Sequence, residues 1–188
     1  LAGSLQGTGD FDPGAGATTL TSVGSYDGFL LKLDNAGSFV WVKQMGDVGA
    51  DYIYDLALDA SGFIYATGQF GGTVDFDPGA GSATLSPFGQ WDVYISKADA
   101  NGNFISVQRM GGNDFDFGGS IGIDATDNVY VSGVFQGTAD FDPGAATVNM
   151  TSTGLRDIFV VKLTTDGNFV WAKMLGGATT DELGMATK

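Results

Sequence analysis

Two aspartates separated by one residue begin the most repeated motif of this chain. Asp-Phe-Asp-Pro-Gly occurs at Asp10–Gly14, Asp75–Gly79 and Asp140–Gly144. On an extended segment, side chains two apart leave on the same face. Asp10 and Asp12, Asp75 and Asp77, and Asp140 and Asp142 would then form three carboxylate pairs. Carboxylates and backbone carbonyls in a tight loop suit a hard cation such as calcium, which takes six to eight oxygens. The loops nevertheless depart from the EF-hand pattern: Phe and Pro intervene, and no Glu closes them. The competing reading is structural. One Asp accepts backbone N–H bonds, Pro presets φ, and Gly supplies an unusual backbone conformation.

Much other chemistry is ruled out by composition. The chain has no His and no Cys, which removes Ser-His-Asp, Cys-His, His-zinc and thiolate-zinc mechanisms. Catalysis would have to run on Asp, Tyr, Lys or the single glutamate, Glu182. A carboxylate glycosidase is the enzyme alternative. Against it, the repeated Asp residues come in equivalent copies, whereas a catalytic site breaks symmetry. The unrepeated acids Asp47, Asp55, Asp114, Asp127, Asp166 and Glu182 form no recognisable motif, and a sialidase-like arginine cluster cannot be built from Arg109 and Arg156 alone. No catalytic residue is assigned. The net charge of −14 repels phosphate backbones and anionic lipid, so neither nucleic acid nor an acidic membrane is an expected partner. No apolar run approaches the length of a membrane span, and no charged-then-apolar leader opens the chain, so neither a membrane span nor a signal peptide is expected.

The elements that position these residues follow from self-comparison. An offset of 65 aligns residues 1–65, 66–130 and 131–188 without an internal gap. Identical triplets include Asp27/Asp92/Asp157, Lys32/Lys97/Lys162, Phe39/Phe104/Phe169, Gly46/Gly111/Gly176 and Asp51/Asp116/Asp181. Each unit reads as short strands rich in Val, Ile, Phe and Tyr, and no stretch shows helical periodicity. Turn chemistry agrees: DNAGS, DANGN, TTDGN, DASGF and DATDN place Asp or Asn near Gly, or together, between apolar runs. Strands such as FLLKL (Phe29–Leu33) and IFVVKL (Ile158–Leu163) are apolar on both faces, as in a sheet sandwiched between other layers. Four such strands per unit describe the blade of a β-propeller, an all-β fold.

Within that frame the triplicated Asp27, Asp92 and Asp157 are expected to satisfy backbone donors at a corner. Lys32, Lys97 and Lys162 are expected to pair with carboxylates or line a central channel. Trp41 and Trp171 are read as packing between blades, as is Trp91, and Phe39, Phe104 and Phe169 as core.

The segments DGFLLKLDNAGSFVWVKQMG and DIFVVKLTTDGNFVWAKMLGG, followed by stretches of the type GFIYATGQFGGTVDFDPG, resemble the bacterial SBBP β-propeller repeat across all three units. The resemblance implies a secreted or surface-exposed module for binding or scaffolding, without a common enzymatic activity. With Leu1 entering a second strand and DELGMATK (Asp181–Lys188) matching a first strand, one blade is split between the termini. Two completions are open. Two chains could close a six-bladed ring as a homodimer, or the remaining blades belong to a longer chain.

Overall fold

The computed structural model describes residues 1–179, and over them the chain is all-β, without helices. In chain order the strands are β1 (Ala2–Leu5), β2 (Thr8–Asp10), β3 (Thr19–Thr21), β4 (Asp27–Leu33), β5 (Phe39–Met45), β6 (Tyr52–Leu58), β7 (Ile64–Phe70), β8 (Val74–Asp75) and β9 (Thr84–Leu85). They continue with β10 (Asp92–Ala98), β11 (Phe104–Gly112), β12 (Phe117–Ile123), β13 (Val129–Phe135), β14 (Thr138–Asp140), β15 (Asn149–Thr151), β16 (Asp157–Leu163) and β17 (Phe169–Leu175). The segment 181–188, expected to supply a first strand, lies outside the described residues, together with Asp181 and Glu182.

Three main antiparallel sheets follow one another along the chain. The first has three strands in the order β1-β4-β5, and the last has four, β12-β13-β16-β17. The middle one, β6-β7-β10-β11, is extended by β14 and β15. That extension is a stitch: β11 pairs with β14 at Gly111↔Asp140 and Gly112↔Ala139, so the hairpin before the third sheet's β16 is fastened to the outer strand of the second.

Turn chemistry explains why the strands end where they do. Asp34 accepts the Ala36 and Ser38 N–H groups at 2.8 Å each, while Gly37 takes φ 80°. Asp99 does the same for Asn101 and Asn103, with Gly102 at φ 74°. In the third copy Thr164 replaces the aspartate and accepts the Asn168 N–H at 3.1 Å. Asp127 occupies the position of Gly62 in the other turn family at φ 60°, a conformation Asp tolerates better than most side chains.

Two apolar clusters lie between the sheets. Leu30, Met45, Ile53, Phe70, Phe76 and Tyr94 fill one, and Val93, Ile95, Met110, Ile121, Phe141 and Phe159 the other. Strand β10 serves both, sending Tyr94 to the first and Val93 and Ile95 to the second. Burial on both faces therefore belongs to the middle sheet, where β7 is buried throughout. In β16 the pattern alternates: Phe159, Val161 and Leu163 are buried, while Ile158 and Val160 are only half-buried. The apolar runs named from the sequence lie in the outer sheets, which have a neighbour on one side only. Phe39, Phe104 and Phe169 are likewise half-buried at the cluster margins.

Candidate functional site

The three Asp-Phe-Asp-Pro-Gly loops share one hydrogen-bond pattern. Asp10 Oδ1 accepts the N–H groups of Asp12 at 3.0 Å and Thr18 at 2.8 Å. Asp75 Oδ1 takes Asp77 and Ala83 at the same distances, and Asp140 Oδ1 takes Asp142 and Val148. One carboxylate oxygen thus clamps both ends of an eight-residue excursion between the strands of each hairpin. The second aspartate caps the turn: Asp12, Asp77 and Asp142 each accept the N–H of the motif's glycine at 2.8 Å.

This geometry alters two details expected from the sequence. The strand ends at Asp10, and its carboxylate takes the N–H of Asp12, so the pair does not lie on one extended segment. Gly14, Gly79 and Gly144 are not at positive φ. They are small because the capping carboxylate packs on them: a Cβ on Gly14 would stand 3.0 Å from Asp12 Oδ1. Backbone donors hold the Asp10 and Asp75 carboxyls below the usual carboxylate range, Asp12 leading for Asp10 and Ala83 for Asp75. Among the described residues no three acidic side chains gather as a metal-ligand group.

A second set of aspartates lies at the sheet junctions. Asp27, Asp92 and Asp157 open β4, β10 and β16, and each is fully buried. As expected, each satisfies a backbone donor four residues earlier: Val23 at 2.9 Å, Phe88 at 2.8 Å and Thr153 at 2.9 Å. The other oxygen, Oδ1, is buried in all three with no hydrogen-bond partner. Beside Asp27 and Asp92 stand Asp51 and Asp116, which the repeat marks but whose role it leaves blank. Asp51 accepts the Asp47 N–H at 2.9 Å and the Gly71 N–H at 3.3 Å. Asp116 accepts Gly112 at 2.6 Å and Gln136 at 3.2 Å. Burial pushes Asp51 and Asp92 up to about 6 and Asp116 to about 7.

Two members of the lysine triplet reach a neighbouring sheet. Lys32 donates to the Ala100 carbonyl at 2.7 Å, and Lys97 to that of Thr165 at 3.2 Å, its ammonium also lying over the Phe63 and Tyr65 rings. Only Lys162 meets a carboxylate, Asp124 at 3.6 Å. Arg109 lies 3.7 Å from Asp92 and stacks on Phe88, whereas Arg156 lies over Phe115 and Phe117. The two arginines serve different packing contacts. Trp41 packs against the first cluster, Trp91 against Tyr52 and Phe115, and Trp171 against Tyr130.

The unrepeated acids are scattered. Asp47 caps Gly49, Asp55 accepts from Ser120 and Ile121 across the junction, Asp127 sits in a turn, and Asp114 faces Gly137. Asp166 borders a small hollow with Lys97 and Tyr65. A groove of about 570 Å³ between the first and second sheets is lined by Leu30, Trp41, Leu56 and Ile64, with Lys32 at its side and no carboxylate. It presents no acid–base pair of the kind a glycosidase needs.

A family model described as SBBP, Beta-propeller repeat, matches residues 40–69, from β5 through β6 to β7. No curated protein matches the chain.

Proposed function

We propose that the chain, which carries an SBBP beta-propeller repeat at residues 40–69, is a non-catalytic module for binding or scaffolding that completes its ring against a second copy of itself. Two chains would supply six blades, with the head of each on the tail of the other. The setting that the repeat suggests is extracellular or on the cell surface.

One observation carries this reading. Met45 at the end of β5 and Met110 at the corresponding place in β11 are 6% and 1% exposed, yet Leu175, at the same place on β17, is 55% exposed. Met110 is covered where the β14–β15 hairpin and Phe141 dock on the second sheet. At the head, the hairpin β2–β3 has no strand corresponding to β11 beside it among the described residues. Head and tail would then be the two halves of a junction that the chain already builds internally, where Met45 clusters with Phe76 and Met110 with Phe141.

Light scattering in the micromolar range tests it. The expected mass is about twice 19.4 kDa, and Leu175→Asp is expected to return single chains. A wild-type mass of one chain would overturn self-completion and leave the open faces to further blades of a longer protein.

A further inference from the structure

Three aspartates carry a carboxylate oxygen that is buried and accepts nothing: Oδ1 of Asp27, Asp92 and Asp157. A buried charged acceptor without a donor is costly, and it is resolved by a cation, a water or a proton. The surroundings distinguish these. A Cβ built on Gly111 would lie 2.7 Å from Asp92 Oδ1 and 3.0 Å from Asp116 Oδ2, so the two carboxylates flank one point with glycine backbone packed against it. At Gly46 a Cβ would meet Asp27, at 2.8 Å from its Oδ1.

The two members of a junction differ in what they accept. Both Asp116 oxygens take backbone N–H groups, from Gly112 and Gln136, as suits an ionised carboxylate. Asp92 Oδ2 takes the Phe88 N–H, while its Oδ1 takes none, as suits the hydroxyl oxygen of a neutral acid, which donates. The other junction repeats the pattern. Asp51 accepts from Asp47 and Gly71 through its two oxygens, and Asp27 accepts from Val23 and Gln44 through Oδ2 alone.

We propose that Asp92 and Asp116 hold one shared proton between two buried carboxylates, making this junction a proton-binding site that tightens the sheet stack. The proton belongs to the pair, bridging the orphan Oδ1 of Asp92 to Asp116, and the pair keeps one negative charge. The charged groups facing the site are few: Arg109 from β11 lies 3.7 Å from Asp92 Oδ2, and the charge of Asp114 acts on Asp116.

The folded pair holds a proton up to pH values near 6 to 7, whereas unfolded aspartates release it near 4. Its contribution to stability is therefore full below about pH 4 and lost as pH rises through 6 to 7. The chain has no His, the side chain that ordinarily titrates between pH 5 and 8. A melting temperature lower by roughly 5 °C at pH 8 than at pH 5 is expected. The Asp92→Asn variant, whose amide nitrogen takes the place of the proton-bearing Oδ1, is expected to flatten that slope.

Carboxyl-carbon NMR on the wild-type chain reads the same event even if the variant fails to fold, since junction aspartates should titrate above pH 5. A melting temperature that is level or rises from pH 5 to pH 8, a folded Asp92→Asn variant that keeps the wild-type slope, or carboxyl carbons that all titrate below pH 5 would overturn the proposal.

Discussion

The aspartates of the Asp-Phe-Asp-Pro-Gly loops and those of the sheet junctions are one residue type, each set repeated along the chain, and the structure puts them to opposite use. Asp10 and Asp75 sit in solvent-facing hairpins where backbone N–H groups stabilise the ionised form and hold the carboxyl low. Asp51, Asp92 and Asp116 also accept backbone N–H groups, but burial outweighs them and pushes the carboxyls up. The difference lies in how much water each charge has given up. A hydrogen bond added in solvent lowers a carboxyl's pKa, and the same bond deep between sheets recovers only part of the lost hydration.

Substitutions can break or sharpen this contrast. The largest effect is expected from Asp92→Ala, which leaves the Phe88 N–H without its acceptor and empties a fully buried site; a loss of about 3 kcal/mol in denaturant unfolding is expected. Asp75→Ala in the exposed loop should cost clearly less, and equal losses would mean that the two sets are not energetically distinct.

Glycine replacements come next. Gly111→Ala drives a Cβ between the buried carboxylates and should cost about 2 kcal/mol. Gly14→Ala meets only the end of the half-buried Asp12 side chain at 3.0 Å, which can swing away, so a loss below about 1 kcal/mol is expected. The smallest effect concerns calcium. With one oxygen of each loop aspartate already held by backbone, millimolar calcium is expected to leave the melting temperature unchanged. A rise that grows with calcium would make the loops cation sites and reverse their role in the comparison.

Much of the local architecture was legible in residue order. Strand β4 at Asp27–Leu33 recurs as β10 at Asp92–Ala98 and β16 at Asp157–Leu163. The Asp34 and Asp99 turns use the donors and glycines that their sequences advertise. These features depend on contacts within a few residues, which a short motif encodes completely. Legibility failed where the answer depends on distant neighbours. The glycine of the pentad was read as a backbone conformation, and it is instead the floor under a carboxylate. Phe39, Phe104 and Phe169 looked like core because they are large and repeated, yet they lie at the margins, where the outermost strands have little above them.

The sequence by itself determined the repeat length, the all-β character, the turn devices and the exclusion of histidine and thiol chemistry, because each is a matter of composition or of spacing along the chain. Only the tertiary structure decided which aspartates keep their water. Asp92 and Asp116 are 24 positions apart in sequence, and nothing in that spacing brings their carboxylates to one glycine. The sheets do so by stacking, and burial there reverses the direction in which the same side chain titrates.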